Sequence, residues 1–293
     1  MIRLSPPLAL VPCLVLALAC GPAPRARAAS AASAVAPAAP APEDKPTANE
    51  QRDLALVASA TAGPATKHLP TIAITRREVR LLGDSAFTLP TPDASTWEHG
   101  MPATVTAPAG PILVKRNGPN DLLLAPLAGW LANVHDSHDV SLIVDAAIPY
   151  RLLVEVLFTC AQANLDTFHL VVTHEGQPAE IVVRAPHVDP KTLSMPALTA
   201  LVVGEGVSLK SAGGNVAPGC RETGPGIAVP HANGSVDVAA LRACLQSIGG
   251  STPAPLQAGI VAASPSIPFS EIVATLDALR ASGITDVSFG LAR

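Results

Sequence analysis

Aromatic side chains are nearly missing from this sequence: two Trp, one Tyr and five Phe make up 3% of 293 residues. A core must therefore be built from Val, Leu, Ile and Ala, and a binding surface anchored on Trp and Tyr is not the default expectation. Positive charge is also scarce. A formal net charge of −4 and a pI near 6.0 leave no basic stripe to neutralise phosphates, which argues against a nucleic-acid partner. Mean hydropathy is +0.37, yet outside residues 8–20 no apolar run approaches the roughly 18–20 residues that span a bilayer, so a polytopic membrane protein is excluded. G-x-S-x-G, the Walker loop, G-x-G-x-x-G and H-E-x-x-H are all absent. The "GEG" at 204–206 falls in an expected hairpin turn, not before a helix, and so is no dinucleotide fingerprint.

What is present begins with signal-peptide anatomy over residues 1–19: Arg3, then a short apolar run ending in small residues. "LALAC" resembles a bacterial lipobox, with Cys20 as the lipid attachment residue and Gly21 after it, as in lipoproteins sent to the outer membrane. The alternative is cleavage after Ala28 at "ARA", which frees a soluble secreted protein. Residues 20–66 hold the lipidated cysteine and an Ala/Pro-rich linker. Prolines deny it regular hydrogen bonding and nothing large is available to bury, so it reads as a disordered spacer.

Two stretches then echo each other. "IPYRLLVEVLFTCAQANLDTFHLVV" from 148 and "IPFSEIVATLDALRASGITDVSFGL" from 267 align without a gap at an offset of 119 residues. Each has a short apolar strand before it, "VSLIVDA" or "AGIVAAS". Each places proline, Pro149 or Pro268, where a helix begins and no intrahelical donor is lost. Tyr150 matches Phe269, Val154 matches Val273, and apolar residues follow at helical spacing. Asn164 and Gly283, matched at the helix end, suit a left-handed cap. A last strand closes each copy.

Upstream, "ILVKRNGPND" and "IAVPHANGSVD" both run from a strand through Asn-Gly to an aspartate. Asp121 and Asp237 are placed to cap the helices that follow. Further upstream, the runs from 71 and from 199 each predict two strands joined by a polar turn. The expectation is an α+β fold of two tandem small two-layer domains, each β-β-(β)-α-β-α-β, over 67–186 and 187–293. Residues 83–110 form an insertion without an assigned place.

A strand, Asp145, then Pro149–Tyr150 opening an amphipathic helix through Val154 to Asn164, repeated as Pro268, Phe269, Val273 and Gly283, resembles the periplasmic domain of the ExbD/TolR biopolymer-transport family. The second copy departs in carrying Ser264 opposite Asp145. Family members have a transmembrane helix whose aspartate handles protons. The only N-terminal apolar run here has no acidic residue, so proton translocation is not implied. The resemblance implies a non-enzymatic, lipid-anchored periplasmic module that can form a homodimer and contacts a Ton- or Tol-type envelope protein or peptidoglycan, with no cofactor and no metal.

Of five cysteines, Cys13 leaves with the leader and Cys20 takes lipid. Cys220 and Cys244 lie in the same copy, suited to a disulfide in an oxidising compartment. Cys160 falls on the apolar face of its helix as a buried thiol. The rival functional reading rests on "VHDSHDV": His135, Asp136, His138 and Asp139 are the densest ionisable cluster and offer metal ligands or acid-base groups.

Overall fold

In a computed structural model, residues 54–293 are described, apart from 67–68, 82–83, 89–99, 108–109, 135–136, 186–196, 212, 252–255, 257 and 291–293. The leader, Cys20, Ala28 and most of the linker lie outside these residues. Within the described part, strands alternate buried and half-buried residues as one-sided sheets require. β2 (Thr71–Ile74) and β3 (Glu78–Leu81) pair antiparallel, burying Ile72, Ile74, Val79 and Leu81. β4 (Asp84–Thr88) adds to β3, and β5 (Thr104–Ala107) pairs with β6 (Gly110–Leu113) in a separate two-stranded sheet. The insertion at 83–110 is therefore not featureless, because it contributes β4, β5 and the start of β6.

Helix α1 (Ala125–Leu131) leads to β7 (Asp139–Val144), α2 (Tyr150–Gln162), β8 (Thr167–His174) and β9 (Gln177–Arg184). β8 and β9 form a hairpin whose two turn residues, Glu175 (φ 51°) and Gly176 (φ 76°), both take the left-handed conformation that a two-residue hairpin demands. The second half repeats this order. It contains β10 (Ala197–Val203), β11 (Gly206–Ser211), β12 (Gly214–Val216), the two-residue β13 (Val229–Pro230), α3 (Val238–Ser251), β14 (Ala258–Ala263), α4 (Phe269–Ala281) and β15 (Asp286–Phe289).

Registers correspond as well as order. Ile74 faces Val144 in the first half as Val202 faces Ala263 in the second, and Val140 faces Phe168 as Gly259 faces Val287. The strands β2, β7 and β8 are parallel neighbours, as are β10, β14 and β15. Right-handed crossovers then put α2 and α4 on one face of the sheet. Asn164 (φ 64°) and Gly283 (φ 89°) close these helices in the left-handed region.

The two halves make one 13-stranded sheet, ordered β12-β11-β10-β14-β15-β9-β8-β7-β2-β3-β4, with β1 (Gly63–Pro64) beside β9 and β13 beside β11. The described residues form one compact unit, and buried residues of both halves belong to one continuous apolar cluster. Among the described residues the sheet junction is narrow, with one register pair, Ser288 and Arg184, between β15 and β9. The helix layer supplies the rest. Pro149 and Pro268 are the N-caps of α2 and α4, and the two prolines form an antiparallel bridge with each other. Proline has no side-chain acceptor for the first-turn N–H groups, and the opposite half provides carbonyls instead. Tyr150 and Arg151 donate to Ile267 and Pro265 (2.7 and 3.0 Å), and Phe269 and Ser270 donate to Ile148 and Ala146 (2.8 and 3.0 Å). Tyr150 also crosses the seam with its side chain. Its hydroxyl donates to the backbone carbonyl of either Val261 or Gly290, its ring lies 6.1 Å from Phe289, and burial pushes its ionisation well above the usual phenol range.

Asp237 caps α3, accepting the Ala240 N–H at 2.9 Å. Asp121 does not cap α1. That helix starts at Ala125 with Pro126 in its first turn, and its N-cap is Leu124. Asp121 sits too far upstream and instead accepts N–H groups of Leu123 and Asn117, closing the Asn-Gly turn. Cys220 and Cys244 are disulfide-bonded, joining a 3-10 turn (Pro218–Cys220) to α3, while Cys160 is a buried free thiol.

Two stability measurements test this arrangement. Tyr150→Phe leaves carbonyls at the seam without their donor and should lower stability to urea by about 1–2 kcal/mol with an unchanged denaturant slope. Cys220→Ser/Cys244→Ser opens a loop with a sequence separation of 24 and should cost about 3 kcal/mol in the same assay.

Candidate binding surface and its polar clusters

Among the described residues four carboxylates are buried, those of Asp145, Glu155, Glu180 and Asp277, and each has hydrogen-bond partners within the protein. Glu155 on α2 accepts from Lys115 Nζ (2.7 Å), Arg151 Nε (2.8 Å) and the Met101 N–H (3.1 Å). Lys115 also donates to the Pro119 carbonyl at 2.8 Å, and both members of the pair are fully buried. Desolvation pushes the Glu155 carboxyl above, and the Lys115 ammonium below, their usual ranges, which the attraction of each for the other opposes. Gly100 is required beside them. A Cβ there would stand 2.0 Å from Glu155 Oε1, and its φ of 74° already favours glycine. The cluster fastens the segment around Gly100 and the loop after β6 onto α2.

Asp145, at the end of β7, accepts from Arg76 Nε (2.9 Å), Ala147 N (2.9 Å) and Ala55 N (3.0 Å). Asp277, on α4, accepts from Ser59 Oγ (2.6 Å), Thr61 Oγ1 (2.6 Å), Ala60 N (2.8 Å) and Thr61 N (3.3 Å). One carboxylate from each half therefore holds residues 54–64, which run as a strap over the seam. The opposite face of the sheet carries a fourth cluster. His169 on β8 contacts Glu180 of β9 (2.8 Å) through Nδ1 and Asp139 of β7 (3.3 Å) through Nε2. These are diagonal neighbours across adjacent strands. On the same face Ala73, Ile143, Val171, Leu201 and Ile260 are half-buried, and Val182 is exposed.

Of the His-Asp cluster expected to hold metal or do acid-base chemistry, His135 and Asp136 lie outside the described residues. His138 is exposed and bonds the Asn164 carbonyl, while Asp139 turns to His169. Among the described residues, no three His, Cys, Asp or Glu side chains converge as metal ligands. The sequence reading missed Glu155, Asp277 and His169. For the first two a signal exists, because an acidic residue interrupts an apolar helix stripe beside Val156 and Leu276, where only a paired charge is tolerated.

Glu155→Ala leaves Lys115 buried without its counter-charge and should cost about 3–5 kcal/mol in urea unfolding. The double change Lys115→Met/Glu155→Leu should cost much less than that single change in the same measurement. Comparison with protein-family models, with curated proteins and with solved structures finds no match to this chain.

Proposed function

We propose that this chain is a non-enzymatic binding module of the cell envelope with tandem ExbD/TolR-like domains, accessory to a Ton- or Tol-type biopolymer transport system. It would be tethered through lipid on Cys20, at the outer membrane, and contact an envelope protein or peptidoglycan without moving protons itself. The observation that supports this reading best is the reciprocal capping at Pro149 and Pro268. The resemblance implies a dimerising domain, and here two copies of the Pro-aromatic helix start meet across an approximate twofold within one polypeptide. Covalent linkage makes such a pairing independent of protein concentration.

A binding role also accords with how the polar groups are used. Asp145, Glu155 and Asp277 spend their oxygens on the protein's own donors, whereas the sheet face opposite the helices offers a broad, mixed surface. Among the described residues no helix is long and apolar enough to cross a membrane. A tether would then have to come from the region around Cys20.

Two experiments test the reading. In cells, Cys20→Ala should move the protein from the membrane fraction to the soluble envelope fraction. Crosslinked envelopes should yield a Ton- or Tol-type partner on purification of the full chain, or the protein should sediment with isolated peptidoglycan. Recovery of neither removes the proposal.

A further inference from the structure

The disulfide of the second half lines an open groove. The groove, about 370 Å³ in volume, lies between the 3-10 turn at Pro218–Cys220, β13 and α3, and both Cys220 and Cys244 form part of its wall. Gly219, Pro230, Ala240, Ala243 and Ser247 along it are exposed, and none of the residues lining it carries a charge. The turn beside the groove is lightly held. Not one of residues 218–227 is buried. Short backbone bonds tie this segment to itself and to β12: Ala217 N–H donates to the Glu222 carbonyl and Gly224 N–H to the Asn215 carbonyl, both at 2.8 Å. Its covalent link to α3 is the disulfide. Cys220 itself stands at φ 57°, directly after Gly219 at φ 76°, in the left-handed region that few residues other than glycine enter without cost. A crosslink that anchors a strained residue in an exposed turn is of the kind that exchanges with thiols, whereas relaxed, enclosed ones resist reduction.

We propose that Cys220–Cys244 is a thiol–disulfide exchange site, at which a dithiol entering the groove reduces the folded protein and releases residues 218–227 from α3. Cys220 is half-buried and Cys244 buried, so the Cys220 sulfur is the one in reach. A thiolate of the dithiol attacks Cys220 Sγ, the bond between the two cysteine sulfurs breaks, and Cys244 leaves as a thiolate that takes up a proton. The second thiol of the dithiol then displaces Cys220 from the mixed disulfide. Two electrons have passed to the protein: the dithiol ends as a disulfide, and both cysteines end as thiols. With no carboxylate among the lining residues, the incoming thiolate meets no like charge there. Once released, Cys220 is free to leave the left-handed region, so relief of its strain favours the reaction. Helix α3 keeps its place, because Leu241, Leu245 and Ile248 bury its inner face independently of the crosslink. The first half holds no such pair, since Cys160 is free and buried, and the change is confined to the β12 end of the sheet. This inference does not depend on the lipid tether or on the envelope partner.

The test treats the full chain under native conditions with dithiothreitol as the dithiol, followed by alkylation and peptide mass mapping. Cys160 is the internal control, since its buried thiol becomes accessible only when the fold opens globally. Cys220 and Cys244 should be reduced and alkylated faster than Cys160 is alkylated, by a factor on the order of ten or more. With glutathione in place of the dithiol, the trapped mixed disulfide should map to Cys220. Hydrogen exchange of the reduced chain should show the Ala217 and Gly224 amides losing protection while those of Leu245 and Leu276 keep it. Labelling of all three cysteines at one rate, glutathione on Cys244, or unchanged protection at Ala217 and Gly224 after reduction overturns the proposal.

Discussion

The fold depends on the exchange of helix caps between its halves. A helix N-terminus leaves its first N–H groups without intrahelical acceptors. At α2 and α4 the N-cap is proline, whose side chain has no acceptor to offer. Carbonyls of the loop that leads into the other helix accept these bonds instead, so each half completes the other. This matters because, among the described residues, one register pair links β15 to β9. Separating the halves would exchange four backbone hydrogen bonds and that of the Tyr150 hydroxyl for water, each worth on the order of 0.5–1.5 kcal/mol, and would expose the apolar seam. Cohesion across the centre therefore resides in the helix layer and its prolines.

Much of this architecture was legible in the residues. Short apolar runs gave the strands, proline gave the helix starts, and Asn164 and Gly283 gave their ends, because each of these signals is local. The failures have a common cause. Asp121 had the right spacing to cap a helix, but Pro126 fixed the helix start downstream of it, so the carboxylate closed a turn instead. The 83–110 segment, rich in Pro, Thr and Ala, had no assigned place, and there β4 pairs with β3. Nothing local announces that Pro149 pairs with Pro268.

The strap shows the same limit most sharply. Residues 54–64 contain no large aromatic and one charged neighbour at Asp53, so composition groups them with the preceding Ala/Pro-rich linker. Their order comes from acceptors distant in sequence: Asp145, 90 residues from Ala55, and Asp277, 218 residues from Ser59. The buried carboxylates were hidden for the complementary reason. An acid in a helix stripe looks like a surface residue until its partners are known, and two of the three partners of Glu155, Lys115 and Met101, lie outside its own helix.

Joining the copies in one polypeptide also frees them from sameness. In an assembly of identical subunits any substitution near the axis appears on both sides at once, so a feature that suits one side must be endured on the other. Here Tyr150 answers Phe269, Asp145 answers Ser264, and Asp277 has the apolar Phe158 at the equivalent place. A single strap can thus cross an otherwise balanced molecule and give it a distinguishable left and right, which a partner approaching along the axis would meet in only one orientation.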